Sequence, residues 1–283
     1  KSLTETGTPF AFYRDNVNEM NPNKHVGMIY SSNLCTEIMQ NMSAIETLET
    51  TIETEDGDEV IVTKTKPGDF VVCNLASLVL GNIDLEDDKE LKDIVETTVR
   101  ALDNVIDLNY YPIPYAKVTN RKYRSIGLGT SGYHHALVKA GMAFSDIEDH
   151  LKWADDLYER INFHAITASM ELAKEKGSYD FFEGSDWQNG DYFDLRDYKD
   201  EKWNKLREEI KENGLRNGYI MAIAPTGSTS IISATSAGVD PIMNRYFLEE
   251  KKGSILPRVA PDLNPQTFWL YENAHELDQN FVI

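Results

Sequence analysis

Apolar positions change period along the chain, and each change predicts an element. From Asp87 to Leu108 the apolar residues Leu91, Ile94, Val95, Val99, Leu102, Val105 and Ile106 recur at helical spacing and predict one amphipathic helix. A longer helix is predicted from Asp146 to Lys176, with a core stripe of Ile147, Leu151, Ala154, Leu157, Tyr158, Ile161, Ala165, Ala168 and Leu172. Ser145 and Glu148 read as its capping box, and Gly177 as its stop. Shorter helices are predicted at Asn16–Met20 and Lys202–Asn213, while Pro112 and Pro114 read as a break. The period falls to two in "LETTIETEDGDEVIVTKTK", where Asp56-Gly57 between β-prone runs predicts a surface hairpin. The apolar run "DFVVCNLASLVLGNI" (69–83) reads as a buried strand turning into a helix. "YRSIGLGTSGYHHALVKAG" reads as strand, glycine turn and helix, and "GYIMAIAPTGSTSIIS" as a strand ending in a hydroxyl-rich loop. This alternation of strand and helix predicts an α/β fold with a mainly parallel sheet.

Composition narrows the function classes. The 283 residues are 41% hydrophobic, enough for one large α/β domain or two smaller ones. A net charge of −19 argues against binding to nucleic acid or an anionic membrane. It leaves room for a phosphorylated small molecule, which a few backbone amides and hydroxyls can hold. No apolar run has the length of a transmembrane helix, and the start lacks a signal-peptide core. Two cysteines do not make a disulfide scaffold, so the chain reads as cytoplasmic with reduced thiols. It opens without Met and reads as a split-gene product or a piece of something longer.

Three patterns compete for the chemistry. Gly127-x-Gly129-x-x-Gly132 matches a dinucleotide-binding fingerprint, with Asp146 or Asp149 near the ribose-binding offset, which gives an NAD(P)-dependent oxidoreductase as one reading. The polar stretch before it is wrong for a buried first strand, and tight strand-to-helix packing explains the same glycines. His134-His135 point about 100° apart on a helix and cannot share a metal, so no metal site is expected; Tyr110-Tyr111 reads as packing.

The second pattern is "SSNLCTEI" (31–38). In an extended segment Asn33, Cys35 and Glu37 would share a face. A carboxylate beside a thiol disfavours the thiolate, so this is a poor nucleophile site. It suits a thiol that stays protonated and reacts by losing a hydrogen atom; the plain alternative is a buried cysteine in an edge strand. The third pattern is "APTGSTS" (224–230). Pro225 forces a turn, Gly227 allows close backbone approach, and Thr226, Ser228, Thr229 and Ser230 supply hydroxyls for an anion. A Ser/Thr-rich helix cap would look the same.

Together the phrases "NPNKHVGMIYSSNLCTEI" (21–38), "VVCNLASLVLG" (71–81), "YPIPYAKVTNRKYRSIGLGTSGYHHAL" (111–137) and "APTGSTSIIS" (224–233) resemble the large, catalytic subunit of class I ribonucleotide reductases. The resemblance implies part, about half, of a ten-stranded α/β barrel, with Cys35 on a central finger loop and residues 1–283 forming one domain. It implies that Cys35 becomes a thiyl radical and takes the 3′ hydrogen of a ribonucleoside diphosphate. Glu37 would act as base on the 3′ hydroxyl, and Asn33, with Ser32, would bind the ribose. Cys73 would be one member of the reducing pair, and Pro225, Thr226, Gly227, Ser228, Thr229 and Ser230 would hold the diphosphate. The chain itself would carry no cofactor. A small subunit would supply the metal-radical cofactor, and thioredoxin or glutaredoxin the electrons. The pattern departs from the family in lacking a third cysteine, the nucleotide-sensing N-terminal region and the C-terminal tail. The expectation is therefore a half-barrel that is inactive alone and that associates with a complementary N-terminal half or with itself. A catalytically dead scaffold is the remaining alternative.

Overall fold

A computed structural model describes residues 1–251 and 253–278. In chain order the elements are α1 (Ser2–Thr6), α2 (Arg14–Glu19), β1 (Glu46–Glu55), β2 (Asp58–Lys66), β3 (Leu75–Val79), α3 (Asp88–Leu108), α4 (Pro114–Tyr123) and β4 (Gly127–Ser131). They continue with α5 (Tyr133–Lys139), α6 (Ile147–Lys176), α7 (Asp186–Asn189), α8 (Asp191–Asp194), α9 (Glu201–Asn213), α10 (Thr229–Ile232), β5 (Tyr246–Lys251) and β6 (Ser254–Val259). The fold is α/β, and the chain divides into two compact units. One holds Lys1–Asn74, Leu102–Ile126 and Ser169–Ile220; the other holds Leu75–Ala101, Gly127–Ala168 and the chain from Met221 onward. Among the described residues no helix is long and apolar enough to cross a membrane.

In the first unit β1 and β2 form the expected hairpin, closed from Glu55↔Asp58 by Asp56 and Gly57, both at positive φ. The expected break holds, since α3 ends at Leu108, but Pro114 then starts a helix that was not expected, α4. Pro114 occupies its first turn, where the missing N–H costs nothing. Tyr111 donates its hydroxyl to the Ile106 carbonyl, but Tyr110 is exposed and is not core packing. α4 ends at Arg124, whose guanidinium is buried and bonds Asp103 at 2.9 Å and Asp107 at 3.0 Å. The aromatic stretch 178–200, unassigned by pattern, contains α7 and α8. Trp187 stacks on Tyr192 with ring centroids 3.8 Å apart, and Tyr198 stacks on Trp203 at 4.0 Å.

In the second unit β3 and β4 pair in parallel from Leu75↔Gly127 to Val79↔Ser131. The expected strand before the hydroxyl-rich loop is reduced to one bridge, Leu128↔Met221, on the other side of β4. All of β4 is therefore buried, as a parallel strand covered on both sides should be. α6 begins one residue later than the capping box predicts. Asp146 accepts the first helical bond, from His150, and the Ser145 N–H goes to Glu272 at 2.9 Å rather than to Glu148. Its stripe is buried at Leu157, Ile161, Ala165, Ala168 and Leu172, whereas Leu151, like Val105 on α3, is exposed. The antiparallel hairpin β5–β6, turning near Gly253, had no predicted counterpart.

Candidate active site

Asn33 to Thr36 form a tight turn, not the extended segment expected. The Thr36 N–H donates to the Asn33 carbonyl at 3.1 Å, and Thr36 sits at φ 67, a costly conformation for a β-branched residue. The turn replaces the shared face of alternate side chains with a projecting tip. Leu34 is 87% exposed at that tip and Cys35 is also exposed. Asn33 fixes the base of the turn. Its Oδ1 accepts the N–H of buried Ile38 at 3.1 Å and the Ser32 hydroxyl at 3.3 Å.

The other end of the same amide faces Cys73, with Asn33 Nδ2 at 3.6 Å from Sγ. Burial pushes the Cys73 thiol above its ordinary value, Glu37 pushes it further, the Asn33 amide opposes them, and Cys35 adds a smaller upward push. The four residues expected to carry the chemistry thus lie in one neighbourhood of the first unit. The expected repulsion between carboxylate and thiol acts on Cys73. Glu37 Oε2 is buried and, among the described residues, has no hydrogen-bond partner. An acceptor left in that state costs about 1–3 kcal/mol until a donor reaches it. A ligand hydroxyl is such a donor, and the exposed thiol beside it leaves an approach open. The contact between Asn33 and Cys73 joins residues 40 apart, and no sequence spacing signals it.

The turn 225–230 lies in the second unit. Pro225, Gly227, Ser228 and Thr229 are exposed, Thr226 is half-buried and Ser230 is buried. A Cβ on Gly227 would meet nothing within 4 Å, so space is open there. The hydroxyls are largely committed within the protein. Thr226 Oγ1 accepts the Gly238 N–H at 2.8 Å and lies 2.9 Å from Ser131 Oγ; Thr229 donates to the Thr226 carbonyl at 3.3 Å. The following helix, α10, is a single turn of four residues and adds little helix-end field. Ser228 is its N-cap but forms no side-chain cap bond.

The glycine fingerprint has a packing explanation. Gly127 and Gly129 lie within β4, and a Cβ at Gly129 would stand 2.2 Å from the Ala222 carbonyl oxygen. Gly132, at φ 80, caps α5 and would collide with Thr235. His134 and His135 are both buried. His134 accepts the Ile242 N–H at 3.0 Å, and burial holds it down to about 4. His135 bonds Thr235 and Asp262, 100 and 127 residues away, a connection with no sequence signal.

A family model described as ribonucleotide reductase, barrel domain, matches residues 1–282. The chain is 60% identical to the ribonucleoside-diphosphate reductase subunit alpha of Treponema pallidum over all of its length and 33% of the relative's. It is 39% identical to the subunit of the same name from Helicobacter pylori, over 99% of the chain and 41% of the relative. For Synechocystis the identity is 35% over 100% of the chain and 34% of the relative. The chain thus spans between a third and about two-fifths of the length of these curated relatives. No comparison supports the nicotinamide reading. By the match along nearly its whole length, the chain belongs to the ribonucleotide reductase family, within that family's barrel domain.

Proposed function

We propose that this chain is the catalytic part of a ribonucleoside-diphosphate reductase, an oxidoreductase of deoxyribonucleotide biosynthesis. One observation carries the reading. A chain of this family gathers Asn33, Cys35 and Cys73 around a buried Glu37 carboxylate oxygen that has no donor among the described residues. The substrate is a ribonucleoside diphosphate. The sulfur of Cys35, oxidised by one electron to a thiyl radical, takes the 3′ hydrogen: the C–H bond breaks and an S–H bond forms. Glu37 accepts the proton of the 3′ hydroxyl and returns it to the 3′ oxygen at the end of the cycle, and the 2′ hydroxyl leaves as water. Cys73 and a second cysteine supply two electrons and two hydrogens and close to a disulfide, and the hydrogen held on Cys35 returns to the 3′ carbon. Asn33 and Ser32 hold the ribose hydroxyls, and the turn Pro225–Ser230 holds the diphosphate.

The cysteine paired with Cys73 belongs to a part of the large subunit outside these 283 residues. A radical-generating small subunit oxidises Cys35, and thioredoxin or glutaredoxin re-reduces the disulfide. The enzyme works in the cytoplasm. The test is to assay these residues together with the rest of the large subunit, on one chain or two, with the small subunit, a reductant and CDP. Formation of dCDP supports the reading; a complete mixture that makes none overturns it.

A further inference from the structure

We propose that His135, fixed between Asp262 and Thr235, is the positioning residue of the 225–230 turn and determines how tightly that turn holds a diphosphate. The inference rests on the reading of this turn as the diphosphate loop. Thr226 lies at φ 43, a conformation a β-branched residue keeps only where its surroundings over-determine it. Those surroundings form a continuous chain of bonds. Ser131 Oγ donates to the Ser236 carbonyl at 3.2 Å, which leaves it to accept the Thr226 hydroxyl at 2.9 Å. Thr226 Oγ1 in turn accepts the Gly238 N–H at 2.8 Å. From the other side the Thr235 N–H donates to the Ser230 carbonyl at 2.9 Å, so the turn ends where Thr235 is placed.

His135 sets the placement of Thr235. Asp262 Oδ2 lies 2.9 Å from Nε2, and an ionised carboxylate only accepts, so Nε2 carries the imidazole proton. In the neutral ring Nδ1 is then the acceptor for the Thr235 hydroxyl at 3.0 Å. The His135 N–H also donates to Ser236 Oγ at 3.1 Å. Two glycines make room for this clamp. A Cβ at Gly132 would stand 2.2 Å from Thr235 Oγ1, and one at Gly81 would stand 2.1 Å from His135 Nδ1. Gly132, which the sequence offers as part of a cofactor motif, and His135 thus share one mechanical task. His135 touches no ligand in this role; it acts through Thr235.

The test is calorimetric titration of the 283-residue chain with inorganic pyrophosphate. Loss of one positioned hydrogen bond predicts that Thr235→Val binds about tenfold more weakly, while Thr235→Ser binds like the parent. Asp262→Ala, altering an exposed carboxylate, is expected to weaken binding in the same direction with folding intact. Equal affinity in Thr235→Val, or a Thr235→Ser variant as weak as Thr235→Val, overturns the positioning role. An unchanged Asp262→Ala removes Asp262 from the clamp and overturns the proposal as stated. A parent chain that binds no pyrophosphate overturns the diphosphate reading of the turn and this inference with it.

Discussion

Glu37 and Asn33 act on Cys73 in opposite senses, which makes that thiol a reporter of the site. Glu37→Gln removes a negative charge and lowers the pH at which Cys73 becomes reactive; Asn33→Ala removes the amide that favours the thiolate and raises it. The rate of iodoacetamide alkylation at Cys73 as a function of pH, read by peptide mass spectrometry, checks both. Identical profiles for the two variants and the parent would remove Cys73 from the cluster. At this scale the sequence revealed the triplet Asn33, Cys35 and Glu37 because its members are near neighbours. It did not reveal the turn, since Thr36 adopts a left-handed backbone without the glycine that usually announces one. Nor did it reveal that the asparagine reaches Cys73, a contact made only by folding.

β4 shows what the glycines are for. The backbone at Ala222 and Ile223 passes so close to Gly129 that an added methyl must displace main chain. Gly129→Ala is therefore expected to cost about 1–3 kcal/mol, measured by denaturant unfolding at constant m-value. A variant as stable as the parent would contradict this packing. Element by element, legibility followed the strength of the period. α3, α6 and α9 bury long apolar stripes and could be read; the β1–β2 hairpin was marked by Asp56-Gly57. α4 was hidden by Pro114, a residue that breaks a helix inside but starts one at its first turn. β5–β6 was hidden because the charged run Glu249–Lys251 blurs the alternation of its first strand. The strand expected before Pro225 keeps a single bridge, because its backbone packs closely over Gly129 instead of extending a ladder along β4.

Across the molecule, charge is managed by pairing. Within the first unit the fully buried Asp103 carboxylate meets Arg124 at 2.8 Å, Arg216 at 3.3 Å and Lys176 at 3.3 Å. Arg124→Leu strips its closest partner and is expected to cost roughly 3–5 kcal/mol in denaturant unfolding, because a buried carboxylate would be left under-compensated. A loss within experimental error would contradict that role. Asp107, held below the usual carboxylate range by Arg124, and Asp88, held below it by His164, add stability that is complete above the ordinary carboxylate value. That contribution disappears as pH falls through their lowered folded values, so acid unfolding followed by circular dichroism should steepen below about pH 4. Arg124→Leu should flatten the Asp107 part of that slope. An acid profile unaffected by the substitution would contradict the assignment.

Family membership, a projecting cysteine and a buried carboxylate oxygen with no donor among the described residues converge on one claim, that the sulfur of Cys35 carries a hydrogen atom to and from a ribose. The most direct measurement compares the parent chain with Cys35→Ser in the complemented assay, counting dCDP formed from CDP. Product is expected from the parent and none from the serine variant, because an alcohol O–H cannot take the place of the thiol as a hydrogen-atom relay. Comparable dCDP from both chains would contradict it.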